Sequence, residues 1–193
     1  MDRKCRILLV LPLAIGSALA SAQQEKASEP PWADRGFADF PIDAAESVNG
    51  SQATQFFVRA SGSNFVPRDS TATFSYSGGG CLQRDSNVGD SWFTYDVQIP
   101  DGAVIDFLRV YYYDNNATYD INSELWAFDG AGGTTLIAEA DSSGTLGYSS
   151  TGSDFFSHTV DTLSESLVVV ASIQGGVGDS LEICGIRLRY QLP

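Results

Sequence analysis

The chain has 193 residues and carries 24 Asp+Glu against 11 Lys+Arg, a formal net charge of −13 at pH 7. A surface this acidic repels nucleic acid and anionic lipid, which sets both aside as partners. The length fits one domain with a proper core.

Residues 1–22 have the pattern of a secretory leader. Arg3, Lys4 and Arg6 form a basic start, residues 7–14 are apolar, and Ala20-Ser21-Ala22 precedes Gln23. The apolar run is too short for a retained membrane span, and no later stretch approaches the required length. The expected mature chain is therefore exported, extracellular or periplasmic, without membrane insertion. Its 171 residues hold 8 Lys+Arg and 23 Asp+Glu, a net charge of −15, and sixteen of those acids are Asp, mostly in or beside turns. Cys5 falls in the leader, so Cys81 and Cys184 remain. In an exported protein two cysteines predict a single disulfide. With no Cys-x-x-Cys spacing and one histidine, a zinc tetrad is not expected on them.

Residues 23–54 read as a flexible N-terminal segment ahead of a β-domain over 55–193. From 23 to 31 the composition is Gln, Glu, Lys, Ser and Pro without apolar period, which reads as a tether. Trp32, Phe37, Phe40 and Ile42 follow, each isolated among Asp, Arg, Ala and Pro41. This piece either docks on the domain or meets something else. Residues 44–55 hold a short helix or an irregular loop ending at Asn49-Gly50.

Short alternating runs with turn signals then predict strands. Phe56, Val58 and Ala60 alternate; residues 64–69 read as a loop; Ala72, Phe74 and Tyr76 alternate again; Gly78 to Gly80 mark a bend. Phe93, Tyr95, Val97 and Ile99 alternate with Trp92, Thr94, Asp96 and Gln98. Pro100-Asp101-Gly102 turns the chain into the longest β-rich run, residues 103–113. There Val104, Leu108, Val110 and Tyr112 share one face, and Ile105, Phe107, Arg109, Tyr111 and Tyr113 the other. Apolar residues on both faces predict a central strand covered on each side; the alternative is an exposed aromatic row of Phe107, Tyr111 and Tyr113. Further strands are expected over 121–128, 135–140, 155–160, 167–173 and 181–190. In the last, Leu181 and Ile183 are out of phase with Ile186, Leu188 and Tyr190, which predicts a bulge at Cys184-Gly185 that turns both sets inward and Arg187 and Arg189 outward. The expected fold is all-β: an antiparallel, jelly-roll-like two-sheet sandwich of about nine or ten strands with one disulfide.

Catalytic signatures are missing from the sequence: it has no Gly-x-Ser-x-Gly elbow and no His-Glu-x-x-His. His158, the single imidazole, alternates with Phe156 and Val160 and is expected inward as a hydrogen-bonded sheet residue. Asp114, Asn116 and Asp120, with Asn122 and Glu124 after them, supply hard oxygen ligands of the kind calcium takes, although ordinary turns use the same residues. Otherwise no cofactor is expected. Asn116-Ala117-Thr118 and Asn49-Gly50-Ser51 match the N-glycosylation acceptor pattern at the level of chance. Trp92, Trp126 and Tyr148 are the aromatics expected to form a ligand platform if they are exposed.

Phe65-Val66-Pro67-Arg68-Asp69, Gly79-Gly80-Cys81, Ile99-Pro100-Asp101-Gly102-Ala103, Tyr111-Tyr112-Tyr113-Asp114 and Cys184-Gly185-Ile186-Arg187 together resemble a set of secreted bacterial β-sandwich proteins with no assigned activity. The resemblance runs from about Asn64 to Tyr190, implies an exported, disulfide-linked sandwich, and brings no catalytic residues with it. The expected function is a non-catalytic module that binds a glycan or another surface protein, or self-associates in surface assembly. The alternatives are a carbohydrate-binding module using the exposed aromatics, and a small hydrolase with a carboxylate pair.

Overall fold

The computed structural model describes residues 54–142 and 146–193. The expected leader, the tether and the segment with Trp32, Phe37, Phe40 and Ile42 lie outside the described residues.

Among the described residues twelve strands follow in order: β1 (Gln55–Ser61), β2 (Val66–Pro67), β3 (Phe74–Tyr76), β4 (Leu82–Arg84), β5 (Trp92–Val97), β6 (Val104–Asp114), β7 (Ile121–Phe128), β8 (Thr134–Asp141), β9 (Gly147–Gly152), β10 (His158–Thr159), β11 (Ser166–Ile173) and β12 (Leu181–Gln191). They form two antiparallel sheets. One has seven strands around the β6–β12 pair, with β9 and β10 on the far edge of β6 and β1 and β4 on the far edge of β12; β3 closes it beyond β4. The other runs β2-β5-β11-β7-β8. The expected sandwich is present. Among the described residues no helix is long and apolar enough to cross a membrane.

The alternation of β7 shows why the sheets face each other. Ile121, Ser123, Leu125 and Ala127 are buried, while Asn122, Glu124, Trp126 and Phe128 point outward and are half-exposed. Phe93, Val169, Ala171 and Ile173 complete that inner face, and Leu108, Val110, Tyr112, Ile183, Ile186 and Leu188 meet it from the seven-stranded sheet. Removing such a large apolar side chain from water stabilises by about 1.5–3 kcal/mol, so this interior is the main favourable contribution to the fold.

Two bulges give the β6–β12 pair its inward surface. The register between the two strands shifts at Ile183/Gly185 and again at Arg189/Tyr190. The first is the bulge expected from the two hydrophobic phases of the last strand: Leu181, Ile183, Ile186 and Leu188 are all essentially inaccessible to solvent. The second lies at Asp106, which has no partner residue on β12. It corrects the expected face assignment, because the extra residue brings Ile105 inward with Leu108, Val110 and Tyr112. Phe107, Arg109, Tyr111 and Tyr113 remain outward.

That outer face is neither fully covered nor a bare aromatic row. Phe107 is buried, since the loop after β9 lays Phe155 against it with ring centroids 5.4 Å apart. Tyr111 and Tyr113 stay half-exposed. Residues 155–160 are consequently mostly loop, with only His158–Thr159 paired to β6. Residues 64–69 in turn contain the two-residue strand β2, paired to β5.

Cys81 and Cys184 are bonded, as expected, joining the start of β4 to the first bulge of β12 across 103 residues of sequence. By the chain-entropy argument a closure of this length stabilises by up to about 4–5 kcal/mol.

Candidate functional site

A surface pocket with two tryptophans sits on the outer face of the five-stranded sheet. Period-2 alternation turns Trp92, Thr94 and Asp96 of β5 outward, as it does Asn122, Glu124, Trp126 and Phe128 of β7. Between them β11 presents Val168, Val170 and Ser172. Its register sets Val170 between Thr94 and Glu124, Val168 between Asp96 and Trp126, and Ser172 between Trp92 and Asn122. The two indoles thus stand diagonally across β11, around Val170. With Arg68, Glu124, Phe128 and Thr134 they line a cavity of about 390 Å³.

Each indole is fixed by a charged side chain. Arg68 stacks over Trp92 at 5.2 Å from the ring centroid, and its Nε donates to Asp90 Oδ2 at 2.8 Å. The other oxygen of Asp90 accepts the backbone N–H of Trp92 at 3.2 Å, so one carboxylate holds both the guanidinium and the start of the strand. On the opposite wall Trp126 Nε1 donates to Glu124 Oε2 at 2.7 Å. Asn122, one step along the same face, donates to Glu139 and Asp141 of β8 at 2.7 and 2.6 Å. The pocket therefore combines two aromatic side chains with a cation, a carboxylate and the Thr134 hydroxyl. Such a set can hold a ligand that has an apolar face and a rim of hydroxyl groups.

Of the three aromatics singled out in the sequence, Trp92 and Trp126 come together here and Tyr148 does not. Tyr148 lies on the outer face of the other sheet, its ring 4.8 Å from that of Tyr113. Sequence reasoning missed Arg68 and Asp90, which come from loops and meet only in three dimensions. It also passed over Glu124 as part of this pocket, although the alternation of 121–128 carried the signal.

The residues of the calcium expectation are bound up with the chain's own donors. Asp114 is buried; its Oδ1 accepts the backbone N–H of Asn116 at 2.9 Å and its Oδ2 the Ser142 hydroxyl at 2.8 Å. Asn116 Oδ1 accepts the N–H groups of Thr118 and Tyr119. Asp120 Oδ1 sits 3.5 Å from the same Ser142 hydroxyl. These oxygens shape the turn between β6 and β7. Among the described residues, the one cluster of three Cys, His or carboxylate side chains close enough to share a metal is Cys81, Glu182 and Cys184, and its two sulfurs are joined to each other.

His158 pairs with Glu165, Nε2 to Oε1 at 2.6 Å, at the edge of the seven-stranded sheet. The same Glu165 oxygen accepts the backbone N–H of Asp161 at 3.3 Å. This imidazole clips a turn to a strand and is not part of the tryptophan pocket.

No family model matches the chain, and no curated protein matches it. Among solved structures it is similar to the C-terminal CBM6 of LamC, a marine laminarinase from Zobellia galactanivorans, with 14% identity, a TM-score of 0.48, and 69% of this chain and 98% of that one covered. It is also similar to a family 6 carbohydrate-binding module from Clostridium cellulolyticum in complex with xylose, with 17% identity, a TM-score of 0.44 and coverage of 67% and 94%. A third is a β-1,3-glucan-binding CBM6 from Bacillus halodurans, with 10% identity, a TM-score of 0.42 and coverage of 70% and 96%. At TM-scores below 0.5 and identities below 20%, none of these likenesses assigns a ligand or a site to this chain.

Proposed function

We propose that the domain is an exported, non-catalytic binding module that takes a carbohydrate chain in the pocket between Trp92 and Trp126. The observation that carries this reading is the pair of indoles set diagonally across β11, one stacked by Arg68 and the other hydrogen-bonded by Glu124. Rigid aromatic faces cost little entropy when a ligand settles on them, and flanking charged groups satisfy the hydroxyls that a sugar brings. The acidity of the chain favours a neutral glycan over a polyanionic one. Export to an oxidising compartment is supported by the disulfide together with the leader-like residues 1–22.

A glycan array probed with the mature protein is the first test, with a neutral polysaccharide expected among the ligands retained. Trp92→Ala and Trp126→Ala should each weaken that binding by at least about tenfold, roughly 1.4 kcal/mol, while the melting temperature stays close to that of the parent. The bound glycan should be recovered without new reducing ends. Retention of full affinity in both variants, or release of shortened sugars by the parent, would overturn the reading.

A further inference from the structure

The tryptophan pocket is electrically one-sided. Trp126 and Glu124 form its β7 wall, while Arg68 stands with Trp92 on the β5 side. Arg68 is already neutralised, because its Nε and one terminal nitrogen both donate to Asp90 Oδ2, at 2.8 and 2.5 Å. Glu124 has no ion-pair partner among the described residues. Its Oε2 accepts the indole N–H of Trp126, and its Oε1 takes no hydrogen bond among those residues. The residue directly opposite Glu124 on β8 is another acid, Glu139, and like charges so placed are destabilising. Across β11, Asp96 faces Trp126 from the far side of Val168. On the outer face of this sheet Arg68 is thus the one basic side chain among the described residues, set against Asp96, Glu124, Glu139 and Asp141.

Resting on the carbohydrate reading of this pocket, we propose that its ligand is an amino-sugar chain, one of whose protonated amines lies between Glu124 and the ring of Trp126. A carboxylate beside an indole is suited to an ammonium group: the oxygen accepts a charge-assisted hydrogen bond, and the ring face attracts the cation. Such a group also relieves the repulsion between Glu124 and Glu139, which a neutral hydroxyl does not. A uronic acid would bring a further negative charge against the same two carboxylates. Hydroxyls of the chain are left for the Arg68 and Thr134 ends of the cavity, where neither side chain needs a cation. The acidity of the whole chain works in the same direction by drawing a cationic polymer toward it.

The test compares three β-1,4-linked oligosaccharides of equal length, made of glucosamine, N-acetylglucosamine or glucose, which differ in carrying an ammonium, an acetamide or a hydroxyl at one ring carbon. Calorimetric titration of the mature protein at mildly acid pH should show the glucosamine chain binding at least about tenfold tighter than the glucose chain, and added salt should narrow that gap. Glu124→Gln, which keeps an acceptor for the Trp126 indole, should bring the two affinities together. Asp154→Asn removes the same charge from an exposed loop after β9, on the other sheet, and should leave the preference intact. Equal binding of the glucose and glucosamine chains, both lost in Trp126→Ala, would overturn this inference while the carbohydrate reading stands. Failure of all three to bind would also overturn it, and the glycan array then decides the carbohydrate reading by itself. A preference that falls as far in Asp154→Asn as in Glu124→Gln would reduce it to net charge and overturn it too. So would saturable binding of poly-L-lysine with the same dependence on Glu124 and Trp126, since the occupant would then be a basic protein.

Discussion

His158 is the chain's single imidazole, and its contacts are structural: Glu165 at 2.6 Å on one side and the backbone of β6 through Ile105 on the other. His158→Ala should therefore cost about 1–3 kcal/mol of stability, read by thermal denaturation, and leave glycan affinity unchanged. Loss of binding at full stability would contradict this assignment. The aspartates of the turns make a different prediction. Asp129 closes the β7–β8 connection by accepting the N–H groups of Ala131 and Gly133, both at 2.8 Å, and these bonds hold its carboxyl below the ordinary value of 3.8. In Asp161 the Ser164 hydroxyl, followed by the Leu163 N–H, acts in the same direction. The folded value lies below the unfolded one, so the stability each turn draws from its carboxylate is complete above 3.8 and disappears as pH falls through the folded value. Carbon-detected NMR titration should place both midpoints below 3.8. Asp129→Asn should also make the melting temperature less sensitive to acid.

At the scale of the element, the bulge in β12 is what lets one strand serve two hydrophobic phases, and Gly185 is its pivot. A Cβ there would lie 2.4 Å from the carbonyl oxygen of Ala60, a backbone atom on β1 that has no rotamer to escape with. Gly185→Ala should thus destabilise by about 2 kcal/mol or more, with chemical denaturation as the readout; a neutral result would mean that β1 is not held as closely as described. This bulge was legible in the sequence because Leu181 and Ile183 visibly fall out of phase with Ile186 and Leu188. The one at Asp106 was not, because apolar residues occupy both faces of β6 and conceal the phase change. Strand β9 escaped notice for a related reason. Its sequence, Gly-Tyr-Ser-Ser-Thr-Gly, has no apolar alternation, and its order comes from pairing with β6 along Arg109 to Asp114. The pocket divides along the same line: Trp92 and Trp126 sit in regular strands and could be picked out, whereas Arg68 and Asp90 lie 22 residues apart on separate loops and no local pattern announces their meeting.

Across the whole molecule, the two outer faces have opposite characters. One carries a compact pocket with paired indoles, and on the other Arg59, Arg187 and Arg109 are opposed across β1, β12 and β6, with Arg59 exposed and Arg109 buried. The order of the strands has a further consequence, for the time course of folding. The central member of the seven-stranded sheet is β12, the last strand in sequence among the described residues, and both β1 and β6 pair with it. A chain that emerges N-terminus first cannot assemble this sheet until β12 is free, and β1 must wait while more than a hundred residues pass. Such distant pairings carry a large closure entropy and place folding in the millisecond-to-second range. A chain ending at residue 180 should accordingly show no cooperative thermal transition, and refolding of the complete chain should give a single slow phase in which β1 and β12 gain hydrogen-exchange protection together; protection of β1 ahead of β12 would refute this order.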